Sequence, residues 1–84
     1  MIYVYVLRSF SDGLLYTGCT RDLRARVSLH NAGRVPSTKD RRPFELIYYE
    51  ACLHELDAFR RENYLKTTYG KHYIKNRCNH YFTG

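Results

Sequence analysis

The sequence predicts an α+β protein: a small three-stranded antiparallel sheet flanked by helices, in the order β-β-α-β-α-α. Three observations carry that prediction. Two runs of β-branched and aromatic residues at the N-terminus flank a turn-forming triplet. A third such run follows a proline. Segments with helix start and stop signals fill the space between and after them.

The opening Ile2-Tyr3-Val4-Tyr5-Val6-Leu7 has the composition of a largely buried strand. Ser11-Asp12-Gly13 turns the chain, and Leu14 to Gly18 returns as the second strand of a hairpin. Thr20 or Asp22 can cap a helix that runs to about Asn31, with Gly33 as its stop signal. Arg34 to Pro43 carries four basic residues and two prolines without apolar periodicity, which predicts an exposed basic loop. Phe44 to Glu50 reads as the third strand. A second helix is expected over about His54 to Lys66, then a break at Gly70 and a shorter helix over about Lys71 to Arg77.

Eighty-four residues fit one domain, 1–84, with 44% hydrophobic and 26% charged residues. That balance excludes a disordered chain, and no run of about 20 apolar residues offers a membrane span. Fourteen Lys and Arg against eight acids give a net charge of +6, the footprint of a polyanion binder, so nucleic acid is the leading partner. Cys19, Cys52 and Cys78 are odd in number and lack a CxxC spacing. With no leader-like segment, they point to a reducing cytoplasm rather than a disulfide framework. The four histidines are too scattered to read as a zinc site.

A core this small tolerates few idle charges, so residues that break its apolar pattern are informative. On the first helix Leu23 and Val27 mark the inward stripe, and Arg26 and His30, four positions apart, stack at its edge. Each alone is compatible with a stem laid on apolar surface or a satisfied histidine; their coincidence favours a site. On the second helix Glu62 follows Ala58 and Phe59 and precedes Leu65, amid an apolar stripe. A carboxylate there needs a cation, either a nearby Arg or a divalent metal, and Mg²⁺ suits a place with one or two carboxylates. The nine tyrosines include Tyr3 and Tyr5 on one face of the first strand and Tyr16 on the second. If the hairpin sets Tyr5 beside Tyr16, two phenols converge near the first helix; strand packing and base stacking are the alternatives.

These residues resemble the GIY-YIG endonucleases. Val4-Tyr5 stands at the first motif and Tyr16-Thr17-Gly18 at the second, with the two tyrosines eleven positions apart. Arg26 and His30 follow Tyr16 by ten and fourteen residues, and Glu62 lies in Ala58-Phe59-Arg60-Arg61-Glu62 with Leu65-Lys66 after it. The resemblance runs from Ile2 to about Arg77. It is strongest to small stand-alone bacterial members, through Arg41-Arg42-Pro43-Phe44, Leu46 and Tyr48-Tyr49-Glu50. Tyr3 replaces the glycine of the first motif and Thr17 the isoleucine of the second.

The resemblance implies a metal-dependent endonuclease. It would hydrolyse a phosphodiester, most readily of DNA, with one Mg²⁺ or Mn²⁺ ion, leave 5′-phosphate and 3′-hydroxyl ends, and work in DNA repair or recombination. Glu62 would hold the metal and Arg26 the scissile phosphate. Tyr5 and Tyr16 would orient the attacking water, one of them as base, and His30 would bond a tyrosine or that water. Arg34, Lys39, Arg41 and Arg42, with Asn76, would contact the nucleic acid. Two rival readings are a non-catalytic nucleic-acid-binding module of the same fold and an adaptor that docks an acidic protein. A protein partner or a dimer stays open as a source of tight binding, as does DNA against RNA.

Overall fold

The structure is a computed structural model that describes all 84 residues. Strands β1 (Ile2–Ser9), β2 (Leu15–Thr20) and β3 (Phe44–Cys52) form one antiparallel sheet in the order β2-β1-β3. Helices α1 (Leu23–Asn31), α2 (Glu55–Leu65) and α3 (Thr68–Arg77) complete the predicted order, and a short α4 (Asn79–Thr83) follows them. No helix is long and apolar enough to cross a membrane.

The uninterrupted apolar run of β1 follows from its central place, because a middle strand with helices on both faces is buried on both. Val4 and Val6 point to one side and pack with Ala58, Leu65 and Ile74 of α2 and α3. Tyr5 and Leu7 point to the other and pack with Phe44, Leu23 and Val27, beneath α1. The sheet is therefore the middle layer between α1 and the α2–α3 pair. A bulge on β3 lets Val6 pair with Tyr48 and Leu7 with Leu46, so that Ile47 and Tyr48 both join the α2–α3 side. Pro43 precedes an edge strand, where its missing N–H costs no ladder bond.

Helix ends are set by short polar side chains. Asp22 caps α1 by accepting from the Ala25 N–H at 3.1 Å, and the His54 ring caps α2 by accepting from Leu56 N–H at 3.1 Å. The break between α2 and α3 differs from the expectation. It falls at Lys66 and Thr67, where the Thr67 hydroxyl accepts from Gly70 N–H at 3.1 Å, and Gly70 lies inside the first turn of α3. Gly70 is there for space rather than as a breaker: a Cβ would collide with the Tyr64 carbonyl and the Leu65 backbone, where α3 crosses the end of α2.

The segment Arg34 to Pro43 also departs from a freely exposed loop. Val35 and Thr38 are buried, and Lys39–Arg41 make a turn of 3-10 helix. Asn31 pins the segment's two ends together, since its side chain donates to Phe44 O at 3.1 Å and accepts from Phe44 N–H at 2.7 Å. Two buried anchors and this clamp hold the stretch against α1, which is what places Thr38 in the site described next.

Candidate active site

The hairpin register pairs Tyr5 with Gly18 and Leu7 with Tyr16, which makes Tyr5 and Tyr16 diagonal neighbours on one face. Their ring centroids lie 6.5 Å apart. The Tyr5 ring passes across β2 over Gly18, and a Cβ on that glycine would stand 2.5 Å from the phenolic oxygen. Gly18 thus opens the gap through which Tyr5 reaches α1. The sequence signal was available, a glycine inside a strand, although its reason is visible only with the register.

His30 receives the Tyr5 hydroxyl. Tyr5 Oη lies 2.8 Å from His30 Nε2, and His30 Nδ1 lies 2.8 Å from Thr38 Oγ1. The Thr38 hydroxyl donates to the Val35 carbonyl at 3.4 Å, so it accepts from Nδ1–H, and Nε2 is left as the acceptor of the Tyr5 O–H. His30 is fully buried, edge-on to Tyr5, Tyr16 and Phe44. Burial and the nearby Arg26 charge hold its pKa below the ordinary 6.5, which keeps the imidazole neutral at pH 7. Thr38 had no signature in the sequence, because it sits in a segment without periodicity.

Arg26 lies beside this pair, one turn before His30. It makes no ion pair, and its Nε is the one buried side-chain nitrogen or oxygen in the protein without a hydrogen-bond partner. Burial raises the Tyr5 pKa, the Arg26 guanidinium pulls it down, and the charges of Tyr16 and Glu62 push it up again. The same phenol thus feels residues from β2, α1 and α2, which places Glu62 within electrostatic reach of the cluster.

Glu62 is paired with neither an arginine nor a second carboxylate. Its cation is Lys66, whose Nζ lies 2.8 Å from a carboxylate oxygen one helical turn on. This corrects the expected Arg partner; Arg61, next in the chain, forks instead onto Glu50 at 2.8 and 2.9 Å. The Glu62 side chain retains 19% of its exposure. Beside it, burial and the Glu62 carboxylate push the Cys19 thiol up to about 12, so Cys19 stands there as a neutral thiol. No three His, Cys, Asp or Glu side chains converge anywhere in the chain, so the structure builds no all-protein metal cage. One partly exposed carboxylate fits the alternative, a magnesium-type ion that keeps most of its waters.

The expected nucleic-acid contacts are scattered. Arg34, Lys39 and Asn76 are exposed. Arg41 is tied to Asp12, its Nε 2.7 Å from the carboxylate, and Arg42 folds back on the Lys39 carbonyl at 2.7 Å. The two loop arginines are therefore structural props as much as surface charge. Tyr3 stands edge-on to Tyr49 at 5.9 Å. The largest cavity, about 620 Å³, opens on that flank of α1 among Tyr3, Arg24, Val27 and Tyr49. It contains none of the five reactive side chains, so the site is located by its chemistry and not by cavity size.

A three-stranded sheet that gathers two tyrosines, an arginine and a histidine under one helix, with a lone carboxylate on the next, defines a small nuclease-type domain. Residues 1–80 match the GIY-YIG catalytic domain, and the chain belongs to that family of nucleases. Similar proteins include UPF0213 protein SH2523 of Staphylococcus haemolyticus and UPF0213 protein SERP0126 of Staphylococcus epidermidis. UPF0213 protein SA0446 of Staphylococcus aureus strain N315 is another. Each is 44% identical over 66 residues, which cover 77% of this chain and 79% of the relative. No solved structure matches the chain.

Proposed function

We propose that the protein is a divalent-metal-dependent endonuclease that hydrolyses a phosphodiester of DNA, in repair or recombination, within the cytoplasm that its three free thiols suit. The observation that carries this reading is the unpaired, buried Nε of Arg26, whose guanidinium acts on the Tyr5 phenol. A half-buried guanidinium whose Nε is shielded without a partner costs stability unless an anion completes it, and a phosphodiester supplies oxygens that match its donors.

The polar chain through β1 and α1 gives the residues separate roles. Tyr5 passes its proton to His30 Nε2 as it takes one from the attacking water, so the phenol acts as base without ionising at pH 7. The water's oxygen forms the new bond to phosphorus as the bond from phosphorus to the 3′-oxygen breaks. The proton passes to His30, whose imidazolium the negative charge of the bound phosphate offsets against burial and Arg26, while Nδ1–H stays on Thr38. Tyr16, edge-on to His30 at 5.0 Å, closes the other side of the pair and positions the water. Arg26 neutralises charge that grows on the phosphate. Glu62 would hold the metal in place of Lys66, and an ion there would supply Lewis-acid chemistry to the phosphoryl group.

The test is a low-salt cleavage assay on labelled single-stranded, duplex, flap and junction DNAs, with Mg²⁺, Mn²⁺ or EDTA. Native protein should cut in the presence of metal, and Glu62→Ala and Arg26→Ala should not. If all three proteins shift DNA mobility and none cuts, the domain is a binding module and the proposal fails.

A further inference from the structure

A trough leaves the site along the free edge of β2. Two cavities, of about 180 and 260 Å³, share Leu15 and Lys71 as common walls. The first takes in Tyr16 and Lys66, and the second continues past Lys75 and Phe82 to the hairpin tip. Its floor is apolar and its rim is basic, from Lys66, Lys71, Lys75 and Arg41, of which Lys66 is held by Glu62 and Arg41 by Asp12. Lys71 and Lys75 are one turn apart on α3, a rise of about 6 Å, close to the repeat of phosphates on an extended strand. Both are exposed and neither forms an ion pair. Free cations one step from a predicted catalytic tyrosine contrast with the basic loop, where Arg41 and Arg42 are already engaged.

We propose that this trough carries the backbone of the strand being cut, as a single extended strand, with Lys71 and Lys75 meeting successive phosphates beyond Tyr16. The inference rests on the reading of the site as a nuclease and adds the path and form of its substrate. It moves the main phosphate track from the Arg34–Arg42 loop, where the sequence put it, to the exposed lysines of α3. An apolar floor of Leu14, Leu15 and Phe82 suits the sugar and base faces of an unpaired strand.

The test is fluorescence anisotropy of a labelled oligo-dT strand in EDTA across a series of salt concentrations, which reads binding without cleavage. Each phosphate contact contributes about 0.7 to the slope of log K against log salt on a single strand. Lys71→Ala/Lys75→Ala should therefore flatten the slope by about 1.4, and Lys71→Arg/Lys75→Arg should restore it. Circular dichroism verifies that these surface variants fold. An unchanged slope in the alanine variant, or a loss confined to Arg34→Ala/Lys39→Ala, overturns the track. A protein that binds through the lysines yet cuts no DNA would instead overturn the nuclease reading and leave the track standing.

Discussion

The Tyr5 hydroxyl donates to His30 Nε2 across 2.8 Å, and the far nitrogen of the same ring is held by Thr38 at the same distance. Three residues from a strand, a helix and an irregular segment thereby fix one tautomer inside a buried site. Because Nε2 carries no proton, it can receive one.

Removing the phenol tests this directly. Tyr5→Phe keeps the ring but deletes the proton path and leaves the buried His30 Nε2 without its donor. The cleavage rate should therefore fall by about 10²–10⁴-fold, while stability falls only by about 1–3 kcal/mol, the cost of one unpaired buried group. A rate within a few-fold of native protein would reassign the base.

Thr38 acts on the reaction only through His30. In Thr38→Val the buried Nδ1–H loses its acceptor, at a cost of about 1–3 kcal/mol, whereas Thr38→Ser keeps the oxygen. For a chain of this size each kcal/mol lowers Tm by about 4–8 °C. Thermal unfolding should separate the two variants, and the pH–rate profile should shift in the valine variant alone.

Gly18 gives a steric prediction. A methyl group at that position meets the Tyr5 hydroxyl, so Gly18→Ala should displace the ring, cost about 1–3 kcal/mol and lower activity more than its stability loss explains. The double variant Gly18→Ala/Tyr5→Phe removes the oxygen in the way. Its stability should exceed the sum expected from the two single changes, and strict additivity would show that the contact is not the cause.

Stability should depend on pH through His30. Its folded pKa lies below the ordinary 6.5, because burial and Arg26 disfavour the imidazolium. At pH values below 6.5 the unfolded chain takes up a proton that the folded site resists, so stability is fully present above that value and is lost as pH falls towards the folded pKa. Urea unfolding between pH 7.5 and 5 should show this decline in native protein, and a shallower one in His30→Gln. An equal decline in both would place the linkage elsewhere.

The local chemistry of the chain was enough to set its three strands, its three main helices and their order, though not α4 or the turn at Lys39–Arg41. β-Branched and aromatic runs made strands, and Asp22 and His54 made helix starts, since period and cap are properties of neighbours in sequence. The order of Tyr5, Tyr16, Arg26, His30 and Glu62 marked them as a set through its resemblance to the GIY-YIG pattern. Only the tertiary structure decided who meets whom. Gly18 matters because of a cross-strand register, Thr38 because a clamp at Asn31 folds its segment under α1, and Lys66 rather than an arginine faces Glu62. Gly70, which read as a break, is a helical residue at a crossing of two backbones. Such contacts join residues far apart in the chain, and they depend on packing between elements that no local pattern encodes.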